Sequence, residues 1–348
     1  MTDVSAPESD TVPEVGPLPE ARTRRLAAAA FVRGAALLPV IGVLMVVGTL
    51  VSPAFLRSAN LAQVGQQGSA LAVTVVGESL IILIGGMDLS LESTYGLAAM
   101  VSAWLMIPKS VYGNGAEIGW VAGIVVLLAV GVIAGFINGF AIVKGRLNGF
   151  IWTLGMTIVL GGIQNGMVNG QSLYDLPKGY EWLGSAYAGP IPVSLIATII
   201  IFVGVGLFLR YHRIGRQIYA IGGNLEAARA AGIRVDRIRI GVYVAGSVLA
   251  AIGGLMEAGY VQSVAADQGY VEGIIFQVFA AAVIGGVSLR GGRGGMLGAF
   301  SGVVLLSLVQ NILTLGNVNN YWIWAIDGMV ILLALIMARV IGGEATAE

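Results

Sequence analysis

Ten apolar, nearly uncharged stretches divide this sequence, at about residues 35–52, 66–84, 90–107, 118–142, 150–168, 190–209, 240–261, 273–289, 295–315 and 322–338. Each approaches the roughly 20 residues that a helix needs to cross the hydrocarbon core of a bilayer. Charged residues make up only 11% of the chain, against about 25% in a soluble globular domain, so lipid rather than water is its main solvent. The predicted fold is all-α: a polytopic membrane protein of about ten transmembrane helices, with no length left for a sizeable soluble domain. The third and eighth stretches are short and carry Gly or polar residues, the marks of broken or re-entrant helices.

Cations orient such a bundle, because positively charged short loops resist translocation. With a cytoplasmic N-terminus, the inner segments hold all of the 19 Lys and Arg residues except Arg57, Lys109 and Lys178. This predicts N-in, C-in topology and an even number of spans. Residues 1–30, acidic and Pro-rich before a short basic run, read as a disordered cytoplasmic tail. The transmembrane domain then covers 31–342, and 343–348 form a C-terminal cytoplasmic tail. The 52 glycines fit close backbone packing between helices in lipid. Cysteine is absent, which excludes disulfides and thiol chemistry.

The longest outer loop, at about 170–190, carries Trp182, Tyr187 and Pro190 beside Asp175 and Glu181. Its aromatics suit the headgroup region, and its length equally suits a partner outside the membrane. The longest inner connection, 210–239, holds seven cations. Within it Asn224 precedes Leu225-Glu226-Ala227-Ala228-Arg229-Ala230-Ala231, and Gly232 follows. A good cap, strong helix formers and a terminating glycine predict a two-turn helix. Small Ala side chains suit it as a docking knob, with Glu226 and Arg229 spaced i,i+3 to orient it or to pair with a partner. An interfacial helix on anionic lipid is the other reading.

Four segments carry a resemblance. They are Gly85-Gly86-Met87-Asp88-Leu89-Ser90; Phe150-Ile151-Trp152-Thr153-Leu154-Gly155-Met156; Gly215-Arg216-Gln217-Ile218-Tyr219-Ala220-Ile221-Gly222-Gly223-Asn224 with Ala227, Ala228, Gly232 and Ile233; and Ala281 to Leu289 with Gly291, Gly292 and Gly294. These resemble the GGIDLS, PFIATLGM, GRxIYAxGGNxxAAxxxGI and AAVVLGGTSLxGGxG motifs of the permeases of ribose-, xylose- and galactose-type ABC importers. Gly149 stands where the family usually has Pro, and Trp152 where it usually has Ala. The resemblance runs from about Asn60 to Arg339. It implies a type II ABC importer-like fold, multi-pass in the bacterial inner membrane, that forms the translocation pathway for a monosaccharide or related polyol. It also implies a second permease copy, two cytoplasmic ABC ATPase subunits, and a periplasmic or lipid-anchored sugar-binding protein. No nucleic-acid partner is expected.

No Gly-Lys dipeptide occurs anywhere in the chain, so the phosphate-gripping P-loop is absent and ATP with its Mg would be bound by the partner ATPase. No cofactor or metal is expected in this chain. Mechanical work would then enter through Gly215, Arg216, Gly222, Gly223, Asn224, Glu226, Ala227, Ala228, Arg229 and Gly232. The glycines among these read either as pivots or as ordinary turn and cap positions. Gly85, Gly86, Asp88 and Ser90 should break or cap a helix, Asp88 accepting from the free N–H groups of the next span. A gating role for Asp88 is the sharper alternative.

Neutral sugars call for amides, hydroxyls and aromatic faces rather than strong charge. The candidates are Asn138, Asn148, Phe150, Trp152, Thr153, Thr157, Gln164 and Asn165, and interhelical hydrogen bonding is the alternative role for each polar one. Glu78, Glu257 and Asp327 fall within predicted spans, where ionisable groups default to functional readings. In an ATP-driven importer they need no relay role and are protonated, placed near an end or paired for packing. An ion-coupled secondary sugar transporter would use those acids for coupling, and a membrane enzyme would need a metal or phosphate cluster that the sequence lacks. His212, in the basic loop, reads as a cation or donor, and Gly291 to Gly295 as a tight turn.

Overall fold

The computed structural model describes residues 37–269, 273–319 and 321–332 except 324, 327 and 331. The predicted tails at 1–30 and 343–348, and Asp327, lie outside the described residues. The architecture is helical: α1 (Leu38–Val51), α2 (Ser58–Leu83), α3 (Leu91–Met106), α4 (Trp120–Val143), α5 (Gly149–Met167), α6 (Lys178–Ser185), α7 (Val193–Tyr211), α8 (Arg213–Gly223), α9 (Leu225–Ala230), α10 (Val235–Val261), α11 (Ile274–Ile284) and α12 (Met296–Leu315). A two-residue hairpin, β1 (Tyr187–Ala188) with β2 (Ile191–Pro192), joins α6 to α7.

Five of these helices, α2, α4, α7, α10 and α12, are long and apolar enough to cross a membrane. The sequence predicts ten spans; the tenth stretch, 322–338, lies largely outside the described residues, and four others form helices that are shorter or, in α5, carry Gln164 and Asn165. α1 and α11 hold 14 and 11 residues, and α3, at 16 residues, is confined between the Ser90 turn and Pro108. α2 begins at Ser58 rather than 66, and α10 at Val235 rather than 240, because polar residues at helix ends extend the coil beyond the apolar run.

α2, α3 and α10 form the centre. Thirteen residues of α3 are buried, Glu92, Ser93 and Thr94 among them, so this helix faces protein on all sides rather than lipid. Lipid tails are as apolar as Leu, so helices here associate through close packing and hydrogen bonds. Gly131, Gly135 and Gly139 lie one turn apart on α4, and a Cβ at each would meet Ser247 O, Val244 Cα or Ile240 Cα of α10 at 3.0, 2.6 and 3.1 Å. Gly77 and Gly246 make the equivalent approach between α2 and α10, with a Cβ on Gly77 falling 2.7 Å from Gly246 O.

The eighth predicted stretch holds only the short α11, and irregular chain separates it from the seventh. α10 ends at Gln262 in a left-handed conformation, and residues 263–269 after it are non-helical and largely buried. Buried side chains tie this segment in place: Gln164 Nε2 donates to Gln268 O at 3.2 Å, Gln268 Nε2 to Gly254 O of α10 at 3.3 Å, and Glu92 Oε2 accepts the first-turn Ile275 N–H of α11 at 3.3 Å. Irregular backbone at membrane depth is tolerated only where protein supplies such partners.

Candidate functional site

Most sequence-predicted residues converge at the end of the bundle that carries residues 144–148 and 210–239. There the chain leaves α2 through Gly85, whose φ of 72° requires a left-handed backbone, and turns through Met87 to Ser90 before α3. Asp88 is fully buried. Its Oδ1 accepts Ser90 N–H at 2.9 Å and Ser90 Oγ–H at 2.6 Å, while its Oδ2 accepts from Asn138 Nδ2 at 3.1 Å. Asn138 Nδ2 also lies 2.7 Å from Ser90 Oγ, and Trp152 Nε1 donates to Asn138 Oδ1 at 3.0 Å. Glu78 Oε1 accepts Asp88 N–H at 3.3 Å, and Thr153 Oγ1 accepts Leu89 N–H at 3.1 Å. One connected network thus ties the turn to α2, α4 and α5.

This corrects the capping expectation. Asp88 serves the N–H of Ser90, the residue before α3, and the first-turn N–H groups of α3 receive no side-chain cap. The reason is reach: Asp88 stands two residues before Ser90, so its carboxylate closes a turn on Ser90 instead of extending to the second or third helical residue.

Three backbone turns meet beside this network. Gly292 N–H donates to Leu83 O at 2.9 Å, and Tyr219 Oη donates to Gly294 O at 3.0 Å. Burial raises the Tyr219 pKa above the ordinary tyrosine value, so its hydroxyl keeps its proton. A Cβ on Gly222 would collide with Leu83 O and Gly292 N, and one on Gly291 would sit 2.8 Å from Gly85 N. The Gly85 turn after α2, the end of α8 and the turn between α11 and α12 are therefore in backbone contact. The glycine cluster at 291–294 is a turn, as its sequence reads, and it is also the piece that α8 rests on.

α9 has its expected cap: Asn224 Oδ1 accepts Ala227 N–H at 2.9 Å. Gly232 terminates it at φ 76°, with Ile233 N–H bonded to Ala228 O at 3.1 Å. Ala228 is buried, whereas Glu226, Ala227, Arg229 and Ala230 are exposed. Asp236 Oδ2 lies 2.6 Å from Lys144 Nζ, and its Oδ1 lies 3.5 Å from Arg229 Nη2, tying α9 to α4 and α10. The Glu226–Arg229 pair, 3.8 Å apart and exposed, contributes little.

Sequence reasoning missed α8, an 11-residue amphipathic helix whose signal was the spacing of its buried Gly215, Ile218 and Ile221. Gly215 packs its backbone against Phe208 and Leu209 of α7. Arg216 Nη1 donates to Tyr211 O at 2.8 Å. His212 Nδ1 accepts Ile214 N–H at 3.2 Å and caps α8.

The pathway candidates separate. Asn138, Thr153, Thr157 and Gln164 are buried among helices and bonded to their neighbours. Asn148 caps α5 through Ile151 N–H at 3.2 Å, and Asn165 Nδ2 bonds Gly161 O at 3.0 Å. Phe150 is exposed, on a face of α5 that also presents Ile151, Leu154, Ile158, Val159 and Ile163. Glu78 is wholly buried and its Oε2 has no hydrogen-bond partner. Glu257 is half-buried near the opposite end of α10. Glu92, which holds the start of α11, was not singled out from sequence because its function depends on a residue 183 positions away.

At the opposite end, α6 and the hairpin dock on the bundle. Gln66 Nε2 donates to Gly184 O at 2.7 Å, Tyr187 Oη lies 2.6 Å from Gln66 Oε1, and the buried Tyr180 hydroxyl lies 2.6 Å from Ser102 Oγ. Tyr174, Trp182, Tyr187 and Ile191 remain exposed there.

No solved structure matches this chain. The chain is 34% identical over 300 residues to a probable ABC transporter permease protein of Sinorhizobium fredii, covering 85% of each chain. It is 33% identical over 302 residues to the ribose import permease protein of Escherichia coli, covering 85% of this chain and 90% of that one. It is 29% identical over 305 residues to the galactose/methyl galactoside import permease protein of Haemophilus influenzae, covering 84% and 90%. A family model described as branched-chain amino acid transport system / permease component matches residues 60–335. With apolar helices that fit a bilayer, interlocked turns at one end and these relatives, the chain is an integral membrane protein that belongs to this permease family, as a translocation subunit of an ABC importer.

Proposed function

We propose that the chain forms, with a second copy of itself, the pathway through which a monosaccharide or related polyol crosses a bacterial inner membrane. Ten spans with both termini in the cytoplasm put α8, α9 and the three joined turns on the inner face. The observation that carries the reading is the backbone junction of Gly222, Leu83, Gly85 and Gly292. It gives the exposed, capped α9 a stiff route into α2, α11 and α12, so displacement of α9 displaces the helices. A motor can shift the permease only by binding its two access states with different affinity, and a knob jointed to the core satisfies that demand. ATP and Mg belong to the companion ATPase in this scheme, and this chain is not itself an enzyme.

The substrate class rests on the ribose and galactose names of the relatives and on the neutral side chains around α5. The exposed apolar face of α5 supports a second copy as its neighbour. The exposed aromatics at the other end support docking of a sugar-loaded binding protein, an aromatic surface being suited to partner contact. The test is uptake into vesicles that hold the chain with its ATPase. Uptake that requires interior ATP and a binding protein, and that an ionophore leaves untouched, is expected.

Ion coupling is the second reading, favoured by the unpartnered buried Oε2 of Glu78. Collapse of uptake on adding a protonophore or sodium ionophore would establish it and overturn the ATP-driven scheme.

A further inference from the structure

Beside α9 lies an open cavity of about 310 Å³ lined by Lys144, Arg229, Arg234 and Arg237 with Asp236 as its acid. That volume is at the lower end of small-molecule sites, roughly 300–1,000 Å³. Asp236 is already shared by Lys144 and Arg229, and among the described residues Arg234 and Arg237 have no ion-pair partner. The cavity therefore holds a surplus of positive charge that selects an anion.

Its place in the fold says which anion. Lys144 follows the last residue of α4 and Val235 opens α10, both of them membrane-length helices, so the cavity sits where two spans leave the apolar zone. Below it the surface changes character. Phe136, Phe140 and Lys144 succeed one another at i, i+4 and i+8 on one face of α4; both rings are exposed and lie stacked 5.9 Å apart. On α10, Gly241 stands one turn from Arg237 with open space where a side chain would be. A cationic basin continuous with an exposed apolar ridge and a cleared strip matches a molecule with an anionic head and hydrocarbon tails.

We infer that the basin at Lys144, Arg234 and Arg237, with the Phe136–Phe140 ridge below it, is a binding site for the phosphate headgroup and acyl chain of an anionic phospholipid. It rests on the inward orientation proposed above, because anionic lipid and basic segments meet at the cytoplasmic leaflet. It does not depend on what is transported.

The test uses the detergent-purified full-length chain, titrated with short-chain phosphatidylglycerol or phosphatidylcholine and read by native mass spectrometry. Wild type is expected to retain the glycerol lipid about tenfold better than the choline lipid, from the local excess of cations. R234Q/R237Q, which breaks no ion pair, should bring the two lipids level, and F136A/F140A should weaken both. R57Q/K109Q, at the other end of the bundle, should leave the preference intact, and a thermal melt verifies that each variant is folded. Equal retention of both lipids by wild type, or a preference that survives R234Q/R237Q, overturns the site. Full displacement by millimolar inorganic phosphate assigns the basin to a soluble anion, and release on adding the ATPase subunit assigns it to that partner; either result overturns the lipid. Because the readout is lipid retention, failure here leaves ATP-driven transport standing, and failure of transport leaves this site standing.

Discussion

Asp88→Ala is the substitution that tests the network at the Gly85 turn most directly. As a simple helix cap, Asp88 would be worth about 0.5–2 kcal/mol. The structure raises that figure. Asp88 is fully buried and accepts from Ser90 N–H, Ser90 Oγ–H and Asn138 Nδ2. The Ser90 hydroxyl can rotate away and Asn138 Nδ2 keeps Ser90 Oγ, 2.7 Å away, as an acceptor, but the Ser90 N–H is fixed by the backbone and loses its acceptor. A buried donor left without an acceptor costs about 1–3 kcal/mol, so with the Ser90 N–H orphaned and the bonds from Ser90 Oγ and Asn138 to the carboxylate lost, about 2–3 kcal/mol is expected. Asp88→Asn keeps the acceptor facing Ser90 but turns a donor toward Asn138 Nδ2, so it should cost about half as much. Unfolding in mixed detergent micelles at increasing dodecyl sulfate, followed by tryptophan fluorescence, measures both. A cycle combining Asp88→Ala with Asn138→Ala should show coupling of about 1–2 kcal/mol, the range for groups in one hydrogen-bond network. A loss below about 1 kcal/mol for Asp88→Ala, or equal losses for the Ala and Asn variants, would refute the idea that acceptor capacity holds this turn. Full transport by a variant that is destabilised but folded would discard a gating role for Asp88.

Ala227→Glu, at an exposed position of α9, should abolish co-purification of the ATPase with the melting temperature unchanged; retained association would exclude α9 as the docking surface. Ala228→Glu is a different experiment, because Ala228 is buried: it should lower the melting temperature as well, by overpacking. Gly222→Ala drives a Cβ into Leu83 O and Gly292 N, so a loss of about 1–3 kcal/mol or more, together with uncoupling of ATP hydrolysis from uptake, is expected. An active and stable Gly222→Ala variant would remove the junction from the mechanism. Trp152→Phe deletes the bond to Asn138 Oδ1 and should cost about 1 kcal/mol in the same micelle assay, whereas no change would show that the indole N–H finds another partner.

Much of the site was legible residue by residue. Asn224 before a run of helix formers and Gly232 after it specify α9 through local rules alone, since a cap bonds the same chain three residues on. Gly85 likewise announced a turn. Where the sequence left alternatives open, the partner was remote or the helix faced protein on every side. Asn138 read as a pathway amide or an interhelical bonding group, and nothing local shows that it lies between Asp88 and Trp152. Gln164 read the same way, yet its amide serves the backbone at Gln268, 104 residues away. Hydropathy located α3 but could not show that all its sides meet protein.

The sequence by itself determined that the chain lives in lipid, roughly where it crosses, which loops carry the cations and that a short capped helix projects between α8 and α10. Those properties follow from local hydrophobicity, charge and backbone propensity, which neighbouring residues set. Only the tertiary structure decided that Gly222, Gly85 and Gly292 touch, that Asp88 serves Ser90 and Asn138 instead of a helix end, and that the chain between the seventh and eighth apolar runs packs around Gln164 and Gln268. In a bundle buried in lipid both the outside and the core are apolar, so the pattern that tells inside from outside in water is faint, and contacts between distant helices settle where each polar group goes.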